Sequence, residues 1–378
     1  MRLAVLCDFL EEGWPSMDLA AASLVEALDR RGGPLTAHRF VPSYARTLAR
    51  IPGIGRSRYA LNVDRLANRL FRYPRELKGI VGQFDLFHVA DHSYAHLVHH
   101  LPAARTGVYC HDLDAFRCLL QPALEPRPRW FRAIARRALS GLQRAALVFH
   151  STWSVREQIK SFGIVEPDRL VLAPLGVSPE FGPDPEPGET LPGGLKGASY
   201  LLHVGSCIPR KRIDVLLESF ALARSRAPTI RLVQIGGRWT SEQKALMNGL
   251  GIADAVLQMR NVERSVLARL YRGAAIVLQP SEAEGFGIPV VEALACGSVV
   301  IASDIPALRE VGGNAVLIRP VGDARAWAQV IEDLLLDPGR APSRAARLAQ
   351  ARRFSWDTHA DAISQAYLRI SSTQRGSR

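Results

Sequence analysis

Short apolar runs alternate with longer helical patterns along most of this 378-residue chain, and that alternation restricts the fold more than any other feature. A first set of runs comprises RLAVLC (2–7), FDLFHV (84–89), GVYC (107–110), ALVFH (146–150) and LVLAP (170–174). A second set comprises YLLHVG (200–205), IRLVQIGG (230–237), AVLQM (255–259), AIVLQP (275–280), SVVIAS (298–303) and AVLIRP (315–320). Strands without polar alternation are buried on both faces, and joined by helices they make parallel sheets covered on both sides. Between the sets lies GPDPEPGETLPGGLKG (182–197), a linker by its Pro and Gly content. The chain also exceeds the size at which one core stops growing. The expected fold is α/β, with two doubly wound domains over 1–185 and 186–355. FSWDTHADAISQAYLRI (354–370) reads as a final amphipathic helix, and the tail SSTQRGSR is expected to fray.

The densest constellation runs from Pro280 to Gly297, PSEAEGFGIPVVEALACG. Glu284 and Glu292 stand with seven residues between them. Gly285, Phe286, Gly287 and Ile288 follow the first acid, then Pro289 and an apolar run closed by Gly297. Pro at a helix start and Gly just past its end are the usual signals. Glu284 is therefore expected in a loop after a strand, and Glu292 about one turn inside the next helix. Loop amides and a positive helix end suit an anion, while two acids accept hydrogen bonds from hydroxyls. A ligand with both phosphates and hydroxyls fits, as a nucleotide sugar does. A plain crossover accounts for the glycines alone, but not for both acids in register with Pro289 and Gly297.

Doubly wound sheets bind ligands at the carboxyl ends of their strands. Ser206 to Lys211 follow LLHVG, His111 and Asp112 follow GVYC, and Asp8 to Trp14 follow RLAVLC. In SCIPRKR, Lys211 with Arg210 or Arg212 can meet a diphosphate. Its departure adds negative charge, which fixed cations stabilise more in the transition state than in the ground state. The alternative is a solvated basic loop before a helix.

Hydrophobic content of 47% and charged content of 22% are ordinary for a globular protein. No apolar run approaches the ~18 residues of a membrane span, and the N-terminus reads as a first strand, too short for a signal peptide. Five cysteines without a CxxC pair argue against a disulfide framework, so a cytoplasmic location is expected. Net charge is +12, carried mainly by arginine. With no helix-turn-helix, zinc-finger or RNP pattern, no nucleic-acid partner is expected. The charge suits phosphorylated donors and anionic surfaces.

The Pro280–Gly297 segment resembles the E-x7-E signature of the GT4 family of retaining glycosyltransferases, which have the GT-B fold. LLHVGSCIPRKRIDVLLESF (201–220), APLGVSPEF (173–181), HSTWSVREQI (150–159) and CHDL (110–113) are similar to other family segments, in the same order. The resemblance is specific in the C-terminal half and loose before about residue 100. It implies two Rossmann-like domains facing each other across a cleft, with the last helix, 356–378, crossing back to the N-terminal domain. It implies transfer of a hexosyl group from a nucleotide-diphosphate sugar to a glycan or lipid-linked glycan, by front-face chemistry. By resemblance, Glu284 faces the transferred sugar and Glu292 the ribose. Gly205, Ser206, Arg210, Lys211, Gly285, Phe286, Gly287 and Ile288 surround the donor. Gln258 to Val262, with Asn261 and Val262, lie where the family seats the base; an ordinary loop reads equally there. The family usually has Arg where this chain has Ser206, so either Arg210 compensates or the donor is held less firmly. Gly13 stands alone where the family often has a Gly-Gly pair near the diphosphate, and Trp14 is either a sugar platform or structural.

His111 and Asp112 are the candidate catalytic residues of the N-terminal domain, with His88 and Asp91 in the acceptor cleft. His92, His96 and His100 recur at helical spacing, but no carboxylate or Cys pattern completes a zinc set. No DxD-type pair stands at a strand end, so no metal cofactor is expected. Two basic stretches, 56–78 and 127–144, mix arginine with apolar residues. In the second, Trp130, Phe131, Ile134 and Leu142 lie among Arg129, Arg132, Arg136, Arg137 and Arg144. Arg with Trp and Phe at helical spacing suits an anionic bilayer, here the inner membrane face. The alternative is a helix packed on its own sheet. Two other function classes share this pattern: another GT-B enzyme on nucleotide sugars, such as a non-hydrolysing epimerase, and a non-catalytic glycan-binding protein.

Overall fold

The computed structural model describes residues 1–51, 53, 57–185, 188, 190–192, 195 and 197–376. The chain divides into two compact units, Met1–Leu175 with Trp356–Arg378, and Gly176–Ser355.

The first unit holds six parallel strands: β1 (Arg2–Leu6), β2 (Thr36–Phe40), β3 (Leu86–Val89), β4 (Thr106–Cys110), β5 (Leu147–His150) and β6 (Leu170–Leu172). Their order is β2-β1-β3-β4-β5-β6. The second unit holds β7 (Tyr200–Val204), β8 (Arg231–Ile235), β9 (Val256–Met259), β10 (Ile276–Gln279), β11 (Val300–Ser303) and β12 (Leu317–Arg319), ordered β12-β11-β10-β7-β8-β9. The pairings are parallel throughout both sheets. Helices connect the strands, so the chain is α/β as its sequence pattern requires.

One core gathers Leu6, Phe87, Val108, Leu142 and Val148. The other gathers Leu201, Phe220, Leu232, Leu278, Ile301 and Trp327. Each such buried side chain contributes roughly 1.5–3 kcal/mol through apolar burial. β2, TAHRF, has no counterpart among the apolar runs. It is an edge strand with only Ala37 buried, so it carries no continuous apolar signal.

The first unit ends at Leu175 rather than at 185. Val177 N donates to Phe354 O at 3.2 Å, and the Phe181 ring lies edge-on to Tyr271 at 5.8 Å. The chain has thus joined the second unit before the Pro- and Gly-rich stretch. Of that stretch, Glu186, Pro187, Glu189, Gly193, Gly194 and Lys196 lie outside the described residues.

The last helix, Trp356–Gly376, belongs to the first unit. Arg30 and Arg31 pair with Asp357 and Asp361, each at 2.7 Å. Tyr367 Oη donates to Phe87 O at 2.8 Å and lies 3.1 Å from His88 Nδ1. Gly107 makes room for this ring, since a Cβ there would stand 2.5 Å from Tyr367 Oη and 2.7 Å from Phe149. The helix runs to Gly376, with Ser371 Oγ bonded to Tyr367 O at 2.9 Å. Ser377 and Arg378 lie outside the described residues.

In each sheet the winding direction reverses once, between β1 and β3 in the first and between β7 and β10 in the second. Loops leaving such a strand pair diverge and open a crevice at the carboxyl ends.

Candidate functional site

In the second unit, the loops after β7 and β10 meet at this reversal. Glu282 N donates to Arg210 O at 2.9 Å and stitches them together. Gly205 and Ser206, both half-buried, leave β7 and lead into the turn Pro209–Lys211. After β10 the chain runs through Gly285, Phe286 and Gly287 into the helix Ile288–Ala295. Phe286 is buried and packs edge-on to Phe354 at 5.4 Å. Gly287 has φ 98°, and a Cβ there would lie 2.6 Å from Leu308 Cδ2, so both conformation and space demand glycine.

The Glu284 side chain is 7% exposed and sits among cations. Lys211 Nζ, itself on an 11% exposed side chain, donates to Oε1 at 2.5 Å. Arg210 Nη1 lies 3.6 Å from Oε2 and donates to Ala283 O at 3.1 Å. Gln279 Nε2 donates to Oε1 at 2.7 Å. Burial alone would raise the Glu284 carboxyl, but the Lys211 and Arg210 charges outweigh it and hold the group below its ordinary value. Arg212 is turned elsewhere: it adopts φ 48°, and its guanidinium pairs with Asp214 at 2.6 Å and Glu282 at 3.8 Å. Arg210, not Arg212, therefore accompanies Lys211.

Glu292 lies just past the first turn of its helix and points to different partners. Tyr271 Oη donates to Oε2 at 3.2 Å, and Arg264 Nη2 stands 3.7 Å from Oε1. Burial pushes this carboxyl up to about 7; Arg264 and Tyr271 oppose the rise, and Glu180 adds to it. The two acids thus carry different charge environments within one crevice.

The loop after β9 holds Asn261, exposed with φ 52°, and Val262, half-buried. Gln258 is a tie between strand ends: its Nε2 donates to Gln234 Oε1 at 2.7 Å, and Gln234 Nε2 donates to Gly205 O at 2.8 Å. Sequence reasoning missed Arg264, Tyr271 and Gln279. Arg264 and Tyr271 are seven residues apart, two turns along the helix Arg264–Gly273, so they share a face. Gln279 is the polar end of an otherwise apolar strand.

In the first unit the reversal brings Asp8, after β1, beside Asp91, after β3. Asp91 accepts from Ser93 N at 2.8 Å and lies 3.2 Å from His92 Nδ1. Burial and the neighbouring Asp91 charge push Asp8 well above its ordinary value. His111 N donates to His92 Nδ1 at 3.3 Å, and its Nε2 bonds Ala90 O at 2.9 Å. Burial pushes the His111 imidazole down, so it is neutral near pH 7. Asp112 Oδ1 stands 3.5 Å from His92 Nε2. His111, Asp112 and Asp91 therefore form one cluster. His88, placed on β3 rather than after it, is buried against Tyr367. Gly13, at φ 67°, closes the turn Leu10–Glu12, and Trp14 is half exposed.

The histidines 92, 96 and 100 do not share a helix face. Their segment, His92–His100, is a tighter 3-10 helix with three residues per turn, so a four-residue spacing diverges. His96 Nε2 bonds Arg69 O at 2.9 Å, and His100 Nε2 meets Arg137 at 3.3 Å. The helix Arg129–Arg144 turns Ala135, Ala138, Gly141 and Leu142 inward. Leu142 is therefore core, while Trp130 (58%) and Phe131 (36%) remain exposed.

Comparison with known proteins bears on this arrangement. The profile of the glycosyl transferases group 1 matches residues 193–353, and that of glycosyltransferase family 4 matches residues 20–181. The O-antigen chain mannosyltransferase B of Escherichia coli is 31% identical over 283 residues, covering 72% of each chain. The chain belongs to the group 1 glycosyltransferases of the GT4 type. Two solved structures show the same GT-B fold as this glycosyltransferase. Sucrose-phosphate synthase from Thermosynechococcus elongatus superposes with a TM-score of 0.77 at 19% identity, over 99% of this chain and 100% of that one. Alr3699/HepE of Anabaena, solved with UDP and glucose, gives 0.72 at 16% identity, over 97% and 98%.

Proposed function

We propose that this glycosyltransferase takes a hexose from a nucleoside-diphosphate sugar and transfers it, with retained anomeric configuration, to a glycan or lipid-linked glycan of the cell envelope. The observation that carries this reading is the pairing of Lys211 and Arg210 from one loop with Glu284 from the next, at the winding reversal of the second sheet. An arriving diphosphate offers both cations further acceptors, and the sugar offers Glu284 a hydroxyl. Glu292, a turn inside its helix, takes the ribose hydroxyls. The likeness to the E. coli O-antigen mannosyltransferase and to the UDP- and glucose-bound Anabaena protein supports a nucleotide-linked hexose and a glycan acceptor.

Glu284 is held in a salt bridge, which makes it a poor nucleophile, and Glu292 faces another helix. The reading is therefore front-face transfer. The acceptor oxygen bonds the anomeric carbon as the bond to the phosphate oxygen breaks on the same side, and the departing phosphate takes the acceptor proton. Lys211 and Arg210 stabilise the charge left on the diphosphate. The cluster of His111, Asp112 and Asp91 supplies polar contacts to the acceptor.

A thermal-shift screen against UDP-, GDP- and ADP-sugars identifies the donor. Glu292→Gln is then expected to weaken donor binding, and Glu284→Gln to lower turnover with donor still bound. Equal loss of binding in both variants, or no nucleotide sugar that stabilises the wild type, overturns the assignment.

A further inference from the structure

Arg264 begins the helix Arg264–Gly273 and has no part in the E-x7-E pattern. Its guanidinium lies over the Phe181 ring at 4.8 Å, which fixes its place without using its N–H groups. Nε is 3.5 Å from Glu180 Oε1, and Nη2 is 3.7 Å from Glu292 Oε1. Both nitrogens are buried, and neither makes a hydrogen bond among the described residues. A cation is thus held beside a buried carboxylate, close enough to act through its charge and too far to tie up either oxygen.

The other groups around Glu292 do not replace it. Tyr271, from the same helix as Arg264, donates one neutral hydrogen bond. Glu180 is a second anion. On the remaining packed elements, Arg344 donates to Pro183 O and Arg347 to Gly297 O and Pro342 O, while Arg309 is paired with Asp304. β10 and β11 carry no charged residue.

We propose that Arg264 is the positioning residue of Glu292, fixing that carboxylate as an anion so that it can accept the hydroxyls of a bound ribose. The proposal rests on the donor reading above, and adds a residue outside the motif that sets how strongly the donor is held near neutral pH. A neutral carboxylic acid must place its own proton, and it accepts hydroxyl bonds more weakly than a carboxylate. With Glu292 titrating at about 7, donor affinity depends on the state Arg264 favours.

The test is isothermal titration of the full chain with UDP-glucose, GDP-mannose and ADP-glucose between pH 6 and pH 8.5. The diphosphate diester of these probes keeps one charge state over that range. In the wild type, affinity for the accepted donor should fall about tenfold from pH 8 to pH 6, as one carboxylate near 7 requires. In Arg264→Met the inflection should move above pH 8, with roughly tenfold weaker binding at pH 7 that largely recovers at pH 8.5. Arg264→Lys should restore the wild-type profile, and Arg264→Gln, which keeps length and polarity, should behave as Met does. Loss of the same factor at every pH overturns the proposal, because a direct contact to the ligand would give that result. An unchanged profile in both neutral variants overturns it too. If the wild type binds none of the probes, the donor reading fails along with the proposal.

Discussion

Lys211→Met offers a severe test of how the crevice is held together. Methionine keeps the length and apolar stem of lysine and removes only the charge. Glu284 is 7% exposed and would be left with Arg210 at 3.6 Å as its nearest cation. Removing one partner of a buried pair costs about 3–5 kcal/mol, because the other charge is left uncompensated. Arg210 still screens the carboxylate, so the lower end, about 3 kcal/mol, is expected. For a unit of this size that corresponds to a fall of about 6–12 °C in the melting temperature. Adding Glu284→Gln removes the stranded charge, and the double variant should recover most of the loss while remaining inactive. Differential scanning calorimetry of the four proteins in the cycle measures this directly. The sign with pH follows from the lowered Glu284 value. The contribution of the pair is complete above the ordinary carboxylate value of 4.5 and disappears as the pH falls through the lower folded value. A Lys211→Met protein as stable as wild type at pH 7, or a double variant no better than the single, would refute the reasoning.

Two further outcomes are expected. Cosedimentation with anionic liposomes at low salt should retain the wild type, lose it in high salt, and weaken in Arg132→Glu with Arg136→Glu, because exposed Trp130 and Phe131 stand among arginines; wild type remaining in the supernatant would favour a soluble acceptor. Turnover should persist in EDTA if, as proposed, Lys211 and Arg210 meet the diphosphate charge; complete inactivation reversed by Mg²⁺ or Mn²⁺ would show that they do not suffice.

The buried strands were legible in the sequence because both their faces are covered, which leaves unbroken apolar runs. β2 was not, because an edge strand with one buried residue has no such run. Glu284, Lys211 and Glu292 were legible because strand ends, glycine spacing and helix signals fixed their place in a loop or about one turn into a helix. Which arginine of RKR turns inward was not, since it depends on Arg212 adopting a left-handed conformation and pairing with Asp214. The spacing of the histidine segment carried no information, because a four-residue repeat presumes an α-helix and a 3-10 helix sends the rings to different partners. Arg264 and Tyr271 could be seen only as polar positions on a helix; their carboxylate partner comes from another element.

The return of the helix Trp356–Gly376 to the first unit has a consequence for synthesis on the ribosome. All six strands of the first sheet leave the exit tunnel before residue 176, but the side chain that fills the space at Gly107 is Tyr367. Until Tyr367 has left the tunnel that sheet has a face without its cover, whereas the second unit needs no residue beyond Ser355. A released chain truncated after Ser355 would therefore combine a complete second unit with an incomplete first one, and its proteolysis should begin on the N-terminal side.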